Sequence, residues 1–247
     1  MQLTGQKHDS LAENGINRFQ EMQMDDGFKT PDGASLHSDT PVNPFDSALL
    51  RAAFDRAGSE GWHRFSLVDA AADANLPVDA VRARFPYKAK LLITLSQLAD
   101  SSALRDESEG AIKERLFDLL MRRLDVLQEY RSGVQAVMQA LPLDPPLAAL
   151  LGALTLDSMR WIAETAGIDG SGLRGALRIK AISGIWALSL NTWHKDESAD
   201  LGTTMAALEK NLEKAERFGA LQPSPRQKLH QALNRSTLPN HDLEVEY

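Results

Sequence analysis

The sequence predicts an all-α chain, and three observations carry that expectation. Apolar residues recur at three- and four-residue spacing from Leu49 to Ala215, the period of helices that bury one face. The breaks in that pattern fall on Gly and Pro, as at Gly61, Pro86, Gly133 and the run LPLDPP at 141–146. No stretch alternates apolar and polar residues as a half-buried strand does, and no repeat is visible.

The first helix is expected from about Asp46 to Glu60, with Leu49, Leu50, Ala53, Phe54 and Ala57 on its buried stripe and Gly61 ending it. Trp62 and Phe65 are expected to close a small core. Ser66 is a good N-cap for a second, Ala-rich helix with Val68, Ala71 and Ala72 on one side. Asn75 tolerates a left-handed turn, Pro77 is pre-organised for a first helical turn, and Pro86 stops the third helix after Phe85. Two short helices around a tight turn read as a helix-turn-helix, although small α-hairpins are also generic packing units.

Beyond it, Leu91, Leu92, Leu95 and Leu98 carry one helix. Ile112, Leu116, Leu119, Leu120, Leu124 and Leu127 carry a long one, ending near Arg131 and Gly133. A shorter piece, Val134 to Leu141, stops at the prolines. The helix from Pro145 to about Ala166 is apolar on nearly all sides in its first half (LAALLGALTL), so it is expected to be central. After a loop at Gly167 to Gly172, a helix from about Leu173 to His194 turns Ile182, Ile185, Trp186, Leu190 and Trp193 inward. The last helix has Leu201, Met205, Leu208, Leu212 and Ala215 at alternating four-three spacing, a narrow seam suited to another helix.

Composition bounds the function. The 247 residues are 43% apolar, 25% charged and 6% aromatic, ordinary for a soluble globular chain. Cysteine is absent, which removes disulfides and thiolate chemistry and is compatible with a cytoplasmic location. No apolar run reaches the length of a spanning helix, and no basic-then-apolar signal opens the chain. Residues 1–43 are polar, carry seven acidic against three basic side chains, and are expected to be a disordered acidic tail. Residues 44–90 form the helix-turn-helix segment, 91–221 a larger helical domain, and 222–247 a flexible tail. The net charge is −7, yet residues 47–90 carry seven basic against five acidic side chains. That local excess suits a phosphate-facing surface and a solvated one alike. The six histidines show no metal-ligand spacing, and no phosphate loop, nucleophile elbow or acid–base carboxylate pair stands out, so neither an enzyme, a metal nor a cofactor is expected.

From Leu49 to Leu98 the sequence resembles the DNA-binding domain of TetR-family regulators. The shared pattern is an Ala-rich first helix (LLRAAFDRAG), EGW, a hydroxyl residue opening the second helix, an Ala-Ala pair, the junction Phe85-Pro86-Tyr87-Lys88, and a Leu-rich helix. The resemblance implies a homodimer through helices 173–194 and 200–218, with a ligand cavity among the middle helices. An alternative leaves the 201–215 seam inside its own monomer. The resemblance also implies DNA contacts at Ser66, Val78, Asp79, Arg82, Arg84 and Lys88. Pro77, Val78, Asp79 and Arg82 depart from the family's usual hydroxyl residue, Lys, Gly and aromatic, whereas Arg84, Phe85 and Lys88 match in kind. The departures remove phosphate contacts, and Asp79 would repel phosphate or accept from a cytosine amino group.

From Phe85 to about Phe218 the chain is also similar to the lipid-binding accessory proteins of ubiquinone (coenzyme Q) biosynthesis, which share the TetR fold. Phe85, Pro86, Ala99 and Asp100, the run IKERLFDLLMRRLDVLQEYR, and Trp193, Asp196, Ser198, Asp200 and Thr204 carry that similarity. Capping of the last helix by Asp200 is the simpler account of that residue. The function expected is therefore a DNA-binding transcriptional regulator responding to a small apolar ligand, with a lipid-binding protein that does not read DNA as the alternative. Both imply an apolar pocket, with Met121, Met138, Met159, Trp161 and Trp186 as candidate lining, since soft and aromatic side chains suit hydrophobic ligands and isoprenoids. Residues 225–235 (PRQKLHQALNR) carry Leu229, Ala232 and Leu233 at helical spacing among basic residues, a weak membrane-contact pattern without an aromatic anchor.

Overall fold

The computed structural model describes residues 43–105, 110–198, 200–225 and 227–229. The expected tail at 1–43 lies outside them except for its last residue, as do most of the expected tail at 222–247 and residues 230–235 of the basic segment. Every named element among the described residues is helical, and the β pairing there is one isolated bridge between Ile168 and Pro223.

Helix α1 spans Pro44–Glu60; the Asn43 side chain accepts from the Phe45 N–H at 3.0 Å, and Gly61 leaves the helix at φ 92°. Helix α2 (Leu67–Asp73) is capped by Ser66, whose hydroxyl accepts from the Val68 N–H at 3.1 Å. Asn75 makes the turn at φ 55°, and α3 follows as Val78–Arg84. Pro77 is extended at the N-cap rather than helical, which shifts the expected start by one residue. Phe54, Phe65, Val81 and Phe85 fill the core between these elements.

Helices α4 (Ala89–Leu104), α5 (Ile112–Glu129), α6 (Arg131–Ala140), α7 (Pro145–Thr165), α8 (Gly172–Lys195) and α9 (Gly202–Arg217) build the rest. The sequence pattern takes Gly133 as a break; it lies inside α6 instead, where a Cβ would fall 2.6 Å from both Cβ and Cδ1 of Phe54. Glycine there permits α1 and α6 to touch, and Phe54 also packs edge-on against Tyr130 with ring centroids 5.6 Å apart.

Two expectations about packing change. The first half of α7 is not central: Ala148, Ala149, Gly152, Ala153 and Leu156 are exposed, and burial resumes at Ser158 and Met159. Its apolar sequence serves a cavity wall on one side and an uncovered face on the other. The α9 seam is internal: Leu201, Leu208, Leu212 and Ala215 are buried within the chain, while Met205 is partly exposed. They pack on α8 and α5.

Candidate ligand cavity and helix-turn-helix surface

A cavity of about 350 Å³ lies among α4, α5, α6, α7 and α8, with Phe54 of α1 reaching it. Leu92 and Leu95 come from α4, Leu127 from α5, Val134, Val137 and Met138 from α6, Leu151 and Leu154 from α7, and Trp186 and Leu190 from α8. Ala148, Gly152 and Ala187, all exposed, stand on the same wall and leave it open. This size and lining are those of a small-molecule site.

Of the five side chains that the sequence nominated for a lining, Met138 and Trp186 face the cavity. Met159 is fully buried in the packed core, Met121 is half-buried away from the cavity, and Trp161 is 59% exposed on the far part of α7. Helical phase decides this: residue type marked the apolar positions but not which of two buried faces each one joins.

The cavity has a polar end that the nominated residues missed. Arg123, on the apolar stripe of α5, is 5% exposed. Its Nη1 pairs with Asp100 of α4, and its Nη2 donates to the Ser96 hydroxyl at 3.1 Å. Ser158 of α7 donates to the other Asp100 oxygen at 2.7 Å. The guanidinium also lies 5.3 Å from the Trp186 ring centre. Burial lowers its pKa to about 10, so it stays charged at neutral pH. The sequence carried one signal for it: an Arg at helical spacing between Leu119, Leu120, Leu124 and Leu127.

At the helix-turn-helix, Arg56, Arg82, Arg84 and Lys88 are engaged within the chain. Arg84 grips Asp46 of α1 through two nitrogens, Nη2 to Oδ2 at 2.7 Å, and the carboxylate raises its pKa. Arg56 ties α1 to α2 through Asp73 and also holds Glu60 at 2.9 Å. Lys88 donates to the carbonyls of Trp62 and His63 at 3.3 and 3.1 Å and sits 4.4 Å above the Phe65 ring; burial lowers its pKa. Arg82 folds back onto the Pro86 carbonyl. Ser66 is spent as the α2 cap. What faces outward around the α2–α3 groove is Val68, Val78 and Tyr87, with Asp79 exposed beside them.

The residues around Trp193 and Asp196, at the end of α8, form a joint with α9. Trp193 is fully buried, and its Nε1 donates to Gln128 at 2.8 Å. The Asp196 carboxylate accepts from the backbone and hydroxyl of both Ser198 and Thr204. These donors hold its pKa well below the usual carboxylate range. Asp196 thus caps α9 from across the turn, whereas Asp200 serves only the Gly202 N–H. Arg131 closes the other side by donating to the Trp193 and Asp196 carbonyls.

No protein-family model and no curated protein matches the sequence. Among solved structures, the TetR transcriptional regulator from Nitrosomonas europaea is similar, with a TM-score of 0.60 at 21% identity, over 70% of this chain and 99% of that one. A TetR-family transcriptional regulator from Streptomyces coelicolor aligns with a TM-score of 0.43 at 20% identity, over 77% of this chain and 96% of that one. With its helix-turn-helix leading into an all-helical body around a cavity, the chain has a TetR-like fold.

Proposed function

We propose that the chain binds a small apolar ligand of lipid class in the α4–α8 cavity, in the manner of the ubiquinone-biosynthesis accessory proteins that its C-terminal half resembles. The ligand part of this reading, which the regulator reading shares, is carried by the cavity: an apolar space of about 350 Å³ with Ala148, Gly152 and Ala187 among its lining. What favours the lipid-binding reading over the regulator is the engagement of Arg84 and Lys88 within the chain. Native interiors are otherwise close-packed, so a space of this size is a feature with a use. The helix-turn-helix supports the same reading. Phosphate neutralisation supplies most DNA affinity, and Arg84 and Lys88 are committed to Asp46 and to carbonyls.

A second reading is the ligand-responsive DNA-binding transcriptional regulator. It is favoured by α4, which begins directly after the helix-turn-helix and supplies Leu92 and Leu95 to the cavity. Ligand binding would then shift the spacing of the two α3 helices of a homodimer, with Ser66, Val78, Asp79, Arg82, Arg84 and Lys88 toward DNA. In both readings the chain is cytoplasmic, is not an enzyme and pairs through the outward face of α8, where Leu173, Leu177 and Leu188 are exposed.

The test uses the purified full chain in two assays: mass spectrometry of extracted lipid, and binding to the DNA flanking its own gene across a salt series. A near-stoichiometric neutral lipid without sequence-selective DNA binding is the expected result. A sequence-specific, steeply salt-dependent complex that weakens in Arg82→Ala would overturn it in favour of the regulator.

A further inference from the structure

We propose that a second copy of the chain packs on α8 and the adjoining flank of α7, and thereby closes the open side of the cavity. This rests on the cavity reading above; it places the pairing on α7 and α8, where the family resemblance implies α8 and α9. Leu173, Leu177, Ala181, Gly184 and Leu188 are exposed along α8 at four-, four-, three- and four-residue spacing, the seam one helix offers another. Glycine is a poor helix former, and a Cβ at Gly184 would meet nothing within 4 Å, so no contact inside the chain calls for it. A helix crossing close from outside the chain would use the space. Ala149, Ala153 and Leu156 extend the face on α7, on the flank opposite Ser158, which bonds to α4.

Area and charge point to a second copy as the occupant. Leu156, Leu173, Leu177 and Leu188 together leave on the order of 400 Å² of apolar surface in water, and with the alanines between them the face approaches the roughly 800 Å² per partner of a stable interface. The exposed charges bordering it are of both signs, Asp157, Arg160 and Glu164 on α7 and Lys180 on α8, and none has an ion pair among the described residues. Such a balanced rim can pair with itself, whereas its two carboxylates would repel an anionic membrane or nucleic acid. The outward side of α9, by contrast, exposes Glu209, Lys210, Glu213 and Lys214, charges that a buried interface would have to desolvate. Ala187, three residues from Gly184 and beside Leu188, lines the cavity as Gly152 of α7 does. A helix is about 10 Å across, so one seated on Gly184 overlies Ala187 and shuts that side from water. A closed wall that buries about 50 Å² more of an apolar ligand tightens its binding roughly tenfold. Linkage then requires that ligand in both cavities of a pair strengthens pairing by the product, roughly a hundredfold.

The test follows the delipidated full chain by sedimentation velocity with and without N-phenyl-naphthylamine, a neutral apolar fluorophore whose affinity is read by fluorescence. The parent is expected to pair, to bind the probe, and to pair roughly a hundredfold more tightly when saturated with it. Leu177→Lys and Leu188→Glu change residues outside the cavity lining. Each should be monomeric with its helical spectrum retained, and should bind the probe roughly tenfold more weakly. Met205→Lys, on the outward side of α9, should keep both pairing and probe affinity. A parent that binds the probe as a monomer at all concentrations, loss of pairing in Met205→Lys but not in Leu177→Lys, or a probe affinity that ignores pairing each overturns the inference while leaving the cavity reading intact. Probe bound by neither the parent nor any variant overturns both.

Discussion

The contact between α1 and α6 gives one substitution opposite signs at two places. In Gly133→Ala the new Cβ would sit 2.6 Å from Cβ and Cδ1 of Phe54, where ordinary contact begins at 3.4 Å. The Phe54 carbonyl oxygen is nearer still, so the helices must part by about 1 Å, and no new Phe54 rotamer moves that oxygen or its Cβ. Overpacking of this kind costs about 1–3 kcal/mol, and the upper end applies because the Phe54 carbonyl, in the middle of α1, is also in the way. Alanine returns up to about 1 kcal/mol of helix propensity. The net is a loss of about 2 kcal/mol, or roughly 4–8 °C in melting temperature for a chain of this size. Gly152→Ala, on α7, meets nothing within 4 Å and keeps only the propensity gain, so its melting temperature should rise by about 2–4 °C. Thermal melts by circular dichroism on the ligand-free protein read both. A Gly133→Ala protein as stable as the parent would refute the close-approach account of that glycine.

Three further outcomes follow from the described contacts. Leu151→Trp should fill the cavity and weaken an apolar ligand at least about tenfold in calorimetry, with the helical spectrum retained. Lys88→Met should lower stability by about 1–2 kcal/mol in urea unfolding, because two carbonyls lose their donor. Asp196 has a depressed folded-state pKa, so its contribution is present above the unfolded value of about 4 and is lost as pH falls toward the folded one. The parent should therefore lose melting temperature more steeply below about pH 4 than Asp196→Asn, which starts lower at neutral pH.

Much of the fold is legible because caps and breakers act locally. Ser66, Asn75 and Gly61 do what their residue types dictate, and the stripe Leu49, Leu50, Ala53, Phe54 and Ala57 is buried as the period requires. The site was legible in kind but not in detail. A helical period says that Met159 is buried but not whether it meets side chains or empty space, and Trp161 was chosen by type although its phase turns it outward. Gly133 illustrates the same limit: a glycine can mark an end or a close approach, and only the partner helix decides. The engagement of Arg84 and Lys88 depends on Asp46 and on the Trp62 and His63 carbonyls, 38 and about 25 residues away in sequence.

The seating of Phe54 against Tyr130 and Gly133 has a consequence for anyone who would cut the chain at residue 90. A 44–90 fragment would carry the three helices of the turn motif but expose the ridge of α1 that α6 covers, including Gly58 opposite Ser132. It should aggregate or melt rather than survive as an autonomous module. In the intact protein, amide exchange of α1 should track that of α6 rather than that of α2 and α3.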